Sequence, residues 1–391
     1  MNIGIDKIGF YTPNQYVDME KLAEARGVEP AKYTIGIGQE RMAVAPLHED
    51  AVTMAANAAL SILDEDDRAK IDFVLFGSES GVDHFKSGAV WVHHLTGIQE
   101  NARSIELKQA CYGATAGLKM AMGHIALNPD SKALVLGSDI AKYGLNTPGE
   151  PTQGAGAVAM VISSDPRLLA LDNDSAAMTK DISDFWRPLY SDYAFVDGKF
   201  SNESYLSFLK DVWNVYKDKT QRDLNDFEAV CFHLPYTKMA KKAILALTEN
   251  ASEEDAERLM SHYQNSITYN KQVGNVYTGS LYLSMLSLME QAPELKDKAR
   301  IGLFSYGSGA VGEFFSGVVQ PDYKKYLHKE NHEALLDDRR ELSIEEYEEV
   351  LAKSLPKDGS DTEMSTEHVK DGKAYLAAIQ DNIRKYTVKQ H

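Results

Sequence analysis

Cys111 lies in the run Gln109-Ala110-Cys111-Tyr112-Gly113-Ala114-Thr115-Ala116-Gly117. Residues 102–107 before it alternate apolar and polar side chains, which predicts a strand. Residues 113–122 after it are small and apolar, which predicts a tightly packed, buried helix. A thiol where a helix begins meets free backbone N–H groups and the positive end of the helix dipole. Both lower its pKa and favour the nucleophilic thiolate. The same N–H groups can hold the oxyanion formed in acyl transfer. A small hydrophobe filling space is the alternative, and this segment alone leaves the two open.

Three further positions offer chemistry. Glu79 closes the apolar run Val74-Leu75-Phe76-Gly77-Ser78. A carboxylate there is partly desolvated, so its pKa rises toward that of a general acid/base; a salt-bridged strand end is the plainer reading. His233 closes Ala229-Val230-Cys231-Phe232, where a neutral imidazole can polarise a carbonyl oxygen or simply end the strand. Cys231, two residues earlier on the same strand face, reads as core. Asn275 follows Gly274 at the head of a helix-like run and reads as an N-cap or as a donor to a bound carbonyl. Ser308, in Gly307-Ser308-Gly309, sits on a glycine turn that lets backbone approach a ligand or merely turns the chain. Lys238, Lys241 and Lys242 form a local basic cluster suited to phosphates, or a solvated helix face.

These residues need a scaffold. Strand-like runs at Phe73–Gly77, Ala133–Gly137, Ala157–Ile162, Ala229–Leu234 and Ile301–Tyr306 alternate with helix-like stretches such as Ala51–Leu63, Tyr112–Ala126 and Met239–Leu247. That alternation predicts an α/β architecture. Asp72-Phe73 through Glu79 is echoed by Asp226-Phe227 through His233. The apolar strands at Ala133 and Ile301 are each followed by a glycine-rich run, GAGAVAMVI at 154–162 and GSGAVGEFF at 307–315. An approximate duplication explains this order. Two like halves packed together would gather Glu79, Cys111, His233 and Asn275 at one site, since strand ends and helix starts hold the ligands of α/β folds.

The chain has 391 residues, enough for two domains or halves. With 41 Lys and Arg against 58 Asp and Glu, the net charge of −17 argues against nucleic acid and anionic membranes as partners. The opening MNIGIDKIGFYTPN reads as a short strand ending at Pro13 rather than a signal peptide, and no apolar run is long enough to span a bilayer. Two cysteines without paired spacing argue against a disulfide framework or a zinc-thiolate site and fit a reducing cytoplasm. No Walker loop, HExxH or CxxC occurs. The GxGxxG-like string at 307–312 is misplaced for a dinucleotide fold, so neither a metal nor a nucleotide cofactor is expected. From about residue 321 the chain is highly charged. Ser343 and Glu346 form a capping box, 355–368 reads as a loop, and the region is expected to surround the second half with solvated helices.

Taken together, GSES with Glu79, ACYGATAG with Cys111, HLPYTKM with His233, GEPTQGAGAVAM at 149–160, DFWRP at 184–188, GNVYTGSLYL at 274–283 and YGSGAVGEFF at 306–315 resemble hydroxymethylglutaryl-CoA synthases of the bacterial type. The resemblance runs from IGIGQERMAV at 35–44 to about residue 350. It implies a thiolase-like fold, two similar α/β halves in a five-layer αβαβα arrangement, with boundaries expected at 1–165 and 166–391. It also implies a homodimer and a place in mevalonate formation. Cys111 would take the acetyl group from acetyl-CoA. Glu79 would remove a proton from the acetyl methyl, and His233 would hold the ketone oxygen of acetoacetyl-CoA. Asn275 and Ser308 match positions near the acyl groups, Tyr143, Thr152 and Ser201 positions lining the pocket, and Lys238 and Lys242 positions near the CoA moiety. One departure stands near the expected CoA entrance, where Glu29 precedes Pro30 and the family often has aspartate. A chain-initiating ketoacyl synthase fed by a malonyl thioester is the nearest rival, but it would leave Glu79 without a task. A non-catalytic acyl-CoA-binding scaffold would not need Cys111, Glu79 and His233 together. A biosynthetic thiolase would need a second cysteine where this chain has Ser308.

Overall fold

Runs of Val, Ile, Leu and Phe make the strands of a single large sheet in the computed structural model, which describes residues 2–390. Its strands are β1 (Ile3–Tyr11), β2 (Ile71–Gly77), β3 (Arg103–Leu107), β4 (Lys132–Ala141), β5 (Gly154–Ser164), β6 (Leu169–Thr179), β7 (Ala229–Phe232), β8 (Arg300–Gly307) and β9 (Val311–Val319). They lie in the order β7-β8-β9-β6-β1-β5-β4-β2-β3. β2 pairs in parallel with β3 and β4, as β7 does with β8; the remaining pairs are antiparallel. β1 and β6 meet at the centre over only three residue pairs, Ile3–Leu171 to Ile5–Leu169. Outward from that seam the order β1-β5-β4-β2 is repeated as β6-β9-β8-β7, so the expected duplication is present in the topology. β3 has no counterpart in the second set.

The helices include α1 (Ala51–Leu60), α2 (Gly88–Thr96), α3 (Gly113–Leu127), α4 (Gly198–Thr220), α5 (Lys238–Leu247), α6 (Tyr263–Val273), α7 (Ser280–Gln291) and α8 (Ile344–Ala352), with further short helices between them, such as Glu253–Ser261 and Lys329–Asp337. α1 is nearly all alanine and small residues and is buried throughout, as a helix without a polar face must be. It covers β1, β4 and β5, and α3 covers the opposite face of the same strands. α4 covers β6 and β9. α3 and α7 form the central layer: Thr115 of α3 is hydrogen-bonded to the Tyr282 hydroxyl of α7 and to Ser305 of β8, each at 2.8 Å. Among the described residues no helix is long and apolar enough to cross a membrane.

The charged C-terminal region departs from expectation. α8 and its capping box form at Ser343, but the chain then makes a hairpin, β10 (Ala374–Gln380) and β11 (Ile383–Val388), which packs on α1 and α2 of the first half rather than around the second. Asn57 of α1 grips the Ala374 backbone with both side-chain atoms, at 2.7 and 3.0 Å. The period-2 pattern of β10 is short and lies behind a polar loop, which hides it in the sequence.

Candidate active site

Gly77 ends β2 where no side chain fits: a Cβ there would lie 2.3 Å from the Ala114 nitrogen. The strand end therefore abuts the first turn of α3, and the residues beyond each element meet. The Cys111 thiol donates a hydrogen bond to Glu79 Oε1 at 3.0 Å. The bend before the nucleophile is made by Ala110, at φ 43° in the left-handed region, a conformation proteins retain chiefly at functional sites.

Beneath Glu79 lies a carboxylate that sequence reasoning missed. Asp139, at the end of β4, is fully buried. Its Oδ1 accepts from the Glu79 N–H (2.6 Å) and from the Ser78 and Ser80 hydroxyls, and its Oδ2 from the Thr278 N–H and hydroxyl at 3.1 and 2.6 Å. It thus ties the Glu79 loop to the second half. The signal that singled out Glu79, an ionisable residue closing an apolar strand, is equally present in Leu134-Val135-Leu136-Gly137-Ser138-Asp139. On the other side Arg187 donates to the Glu79 carbonyl at 3.0 Å. Burial, then the Asp139 charge, raises the Glu79 pKa well above the usual carboxylate range, against the lowering effects of Cys111 and Arg187.

The expected lowering of the Cys111 pKa is reversed. α3 starts two residues beyond the thiol, with Tyr112 as its N-cap. Burial and the negative groups of Glu79 and Asp139 push the thiol well above its ordinary value. A buried thiol facing a carboxylate stays protonated until a base takes its proton, and Glu79 is in hydrogen-bond contact to do so.

His233 enters from the second half. Its N–H donates to the Phe304 carbonyl at 2.8 Å, extending the β7–β8 ladder, and its carbonyl accepts from the Tyr205 hydroxyl at 2.8 Å. Burial pushes the imidazole down to about 3, so it is neutral, and its buried Nδ1 has no hydrogen-bond partner among the described residues. Cys231 is core, as expected, with burial pushing its thiol up to about 12. Asn275 spends its carbonyl on its own turn, accepting from the Tyr277 N–H (2.9 Å) and the Ser280 hydroxyl (3.0 Å). Burial raises the pKa of the Tyr143 phenol, and the neighbouring Tyr277 hydroxyl and Asn275 amide oppose that rise. Ser308 lies on the β8–β9 turn, pressed on the nucleophile loop: its carbonyl accepts from Gln109 at 3.3 Å, and a Cβ on Gly307 would lie 2.5 Å from the Gln109 oxygen.

The remaining predicted residues lie further out. Ser201, in the first turn of α4, donates to Asp184 at 3.4 Å, and Asp184 also holds the Tyr306 hydroxyl and the Gly309 N–H. Thr152 closes a short 3-10 turn on the Gly149 carbonyl at 2.8 Å. Lys238 donates to the Ile35 carbonyl and Lys242 to the Tyr236 hydroxyl. Lys241 and Glu29 are exposed, and the helical turn after Glu29, Lys32–Ile37, packs against α5. Among the described residues no hydrogen bond joins these lysines or Glu29 to the catalytic pair. Asp64, Asp66 and Asp67 are close enough together to bind a cation, but Lys7 and Lys132 already neutralise them.

Comparison with known proteins accounts for the whole chain. Residues 1–167 match the family described as hydroxymethylglutaryl-coenzyme A synthase N terminal, and residues 169–264 and 252–389 match its C-terminal counterpart. A hydroxymethylglutaryl-CoA synthase of Enterococcus faecalis is 53% identical over 99% of this chain and 100% of its own. The polyketide 3-hydroxy-3-methylglutaryl-ACP synthase PksG of Bacillus subtilis is 30% identical over 89% of this chain and 87% of its own. A crystal structure of an HMG-CoA synthase complexed with CoA superposes with a TM-score of 0.96 at 44% identity, covering 99% of this chain and 100% of the other. MvaS in complex with 3-hydroxy-3-methylglutaryl coenzyme A does so with a TM-score of 0.89 at 36% identity, covering 100% and 99%.

Proposed function

The chain belongs to the hydroxymethylglutaryl-coenzyme A synthase family, and from that premise we propose how its residues divide the reaction. The enzyme condenses acetyl-CoA with acetoacetyl-CoA and water to give 3-hydroxy-3-methylglutaryl-CoA and CoA, as befits mevalonate formation. The observation that carries the assignment of roles is the 3.0 Å contact between two part-buried groups, the Cys111 thiol and Glu79. Sγ attacks the acetyl-CoA carbonyl as Glu79 accepts the thiol proton. The C–S bond to CoA breaks, and the departing CoA thiolate takes that proton from Glu79, which is left ionised. Glu79 then takes a proton from the acetyl methyl. The carbanion forms a bond to the ketone carbon of acetoacetyl-CoA, whose oxygen His233 holds, and the resulting alkoxide takes the proton that Glu79 removed. Water cleaves the Cys111 thioester and frees the product. Nucleophile, base and electrophilic donor all come from side chains, so this acyl chemistry needs no metal or prosthetic group; CoA thioesters are substrates.

The first half, residues 1–165, supplies Glu79 and Cys111. The second, 166–391, supplies His233, Asn275 and Ser308. Tyr143, Thr152 and Ser201 line the acyl pocket; Lys238, Lys242 and Glu29 flank the mouth that receives the CoA phosphates. Glu79→Gln removes the base and also the negative charge facing the thiol. Acetyl-Cys111 should still accumulate from labelled acetyl-CoA, but more slowly, because the thiol no longer faces a negative charge and gives its proton to solvent instead of Glu79, while condensation falls by at least about a hundredfold. Near-normal turnover in this variant would refute the base assignment. Product analysis with malonyl-CoA in parallel separates this reading from a ketoacyl synthase, which would release carbon dioxide.

Two free cysteines fit a reducing cytoplasm. A homodimer is supported by the exposed apolar set Phe85, Leu189 and Tyr190, each at least 87% exposed, and by β3, an edge strand with one unpaired side. Leu189→Glu with Tyr190→Glu should shift the sedimentation coefficient from dimer to monomer; no shift would place the interface elsewhere.

A further inference from the structure

Tyr347 is a fully buried tyrosine on α8, in a stretch where the sequence shows no chemistry. Its hydroxyl donates to Glu150 Oε1 at 3.1 Å and accepts from Gln153 Nε2 at 3.0 Å. Glu150 is clamped by Arg26, whose Nε and Nη2 lie 2.9 and 2.8 Å from its two oxygens. The other end of the Gln153 amide accepts two consecutive backbone N–H groups, those of Tyr143 at 2.7 Å and Gly144 at 3.1 Å. Gly144 is at φ +90°, a turn open to glycine, which lets both N–H groups face one oxygen. The Gln153 carbonyl accepts from the Asn275 N–H at 3.3 Å. Gln153 therefore touches both strands of chain that present pocket residues, and its amide orientation is set by Tyr347: with Nε2 tied to a hydroxyl acceptor, Oε1 must face Tyr143.

We propose that Tyr347 and Gln153 are positioning residues that hold the Tyr143 ring in the acyl pocket, which makes α8 an outlying part of the catalytic apparatus. The inference rests on Tyr143 lining that pocket. A buried amide that loses its partner on one side is left with an unsatisfied Nε2 and is held only by the two backbone N–H groups it accepts from, so the turn it anchors is loosened. The Tyr143 backbone anchor is thereby weakened while the Cys111–Glu79 contact, built on β2 and α3, is untouched.

The test is a double-mutant cycle on kcat/KM with acetyl-CoA, in the full-length enzyme. Tyr347→Phe should lower kcat/KM about tenfold, the worth of one buried hydrogen bond, and raise KM more than it lowers kcat. In a Tyr143→Ala background the same substitution should cost almost nothing, because the residue it acts through is gone. Gln153→Met cuts the chain from the other end, should give the same pattern, and serves if Tyr347→Phe does not fold. Losses that add in full, or no loss from either variant, overturn the inference. Tyr143→Ala with wild-type kinetics would instead remove Tyr143 from the pocket, a failure of the site assignment seen in that single variant.

Discussion

Glu79 works between charges of opposite sign. Asp139 lies beneath it and raises its proton affinity; Arg187 above it opposes that rise, and burial favours the neutral acid throughout. In the proposed role of base Glu79 acts only when ionised, so condensation should weaken as pH falls through its elevated pKa, at a pH where an ordinary carboxylate would still be charged. Arg187→Gln removes the one positive neighbour, and proton affinity then rises further. The acid limb of the pH–rate profile should move to higher pH, with the alkaline limb unchanged. An unmoved limb would mean that Arg187 acts on the backbone alone. Cys111, Glu79 and His233 were legible as residue types closing apolar strands or opening a helix. The upward shift of the thiol was not, because it depends on which charges face it across 32 and 28 positions of chain.

At the scale of elements, the site is made by strand ends meeting helix starts, and glycine permits the meeting. Gly77→Ala would drive a Cβ into the Ala114 backbone. Neither the strand nor the helix start can yield cheaply, so we expect a loss of about 1–3 kcal/mol in urea unfolding, together with slowed acetylation of Cys111. The alternating and apolar runs predicted β2, β7 and β8 to within two residues at either end, but the run at Ala133–Gly137 stops short of the Ala141 end of β4 and the run at Ala157–Ile162 starts late on β5, which begins at Gly154. β6, Leu169-Ala170-Leu171-Asp172-Asn173-Asp174-Ser175, carries too many polar residues for a core strand and was not legible. It is a strand because β1 and β9 pair with it on either side, so tertiary pairing overrides weak propensity.

For the whole molecule, the two halves share a strand seam only three residue pairs long, reinforced by the α3–α7 layer and the Asp139–Thr278 contacts, and the C-terminal hairpin adds a further tie by crossing back to the first half. Asn57 carries much of that tie. Asn57→Ala leaves the Ala374 N–H and C=O buried without partners and should cost about 2–4 kcal/mol, read as a lowered urea midpoint. Faster hydrogen exchange across 374–388 should appear before any other region opens. Exchange unchanged in the hairpin would show that its apolar contacts alone dock it.

The sequence by itself singled out the candidate reactive residues and determined the alternation of strands and helices, the duplicated order and the family, because these live in local patterns of residue type and spacing. Only the tertiary structure decided the neighbours of each group: that Asp139 underlies Glu79, that the thiol is proton-bound by a carboxylate, and that a C-terminal helix reaches the pocket through Gln153. Those facts are distances between residues far apart in the chain, and burial and charge act through distance.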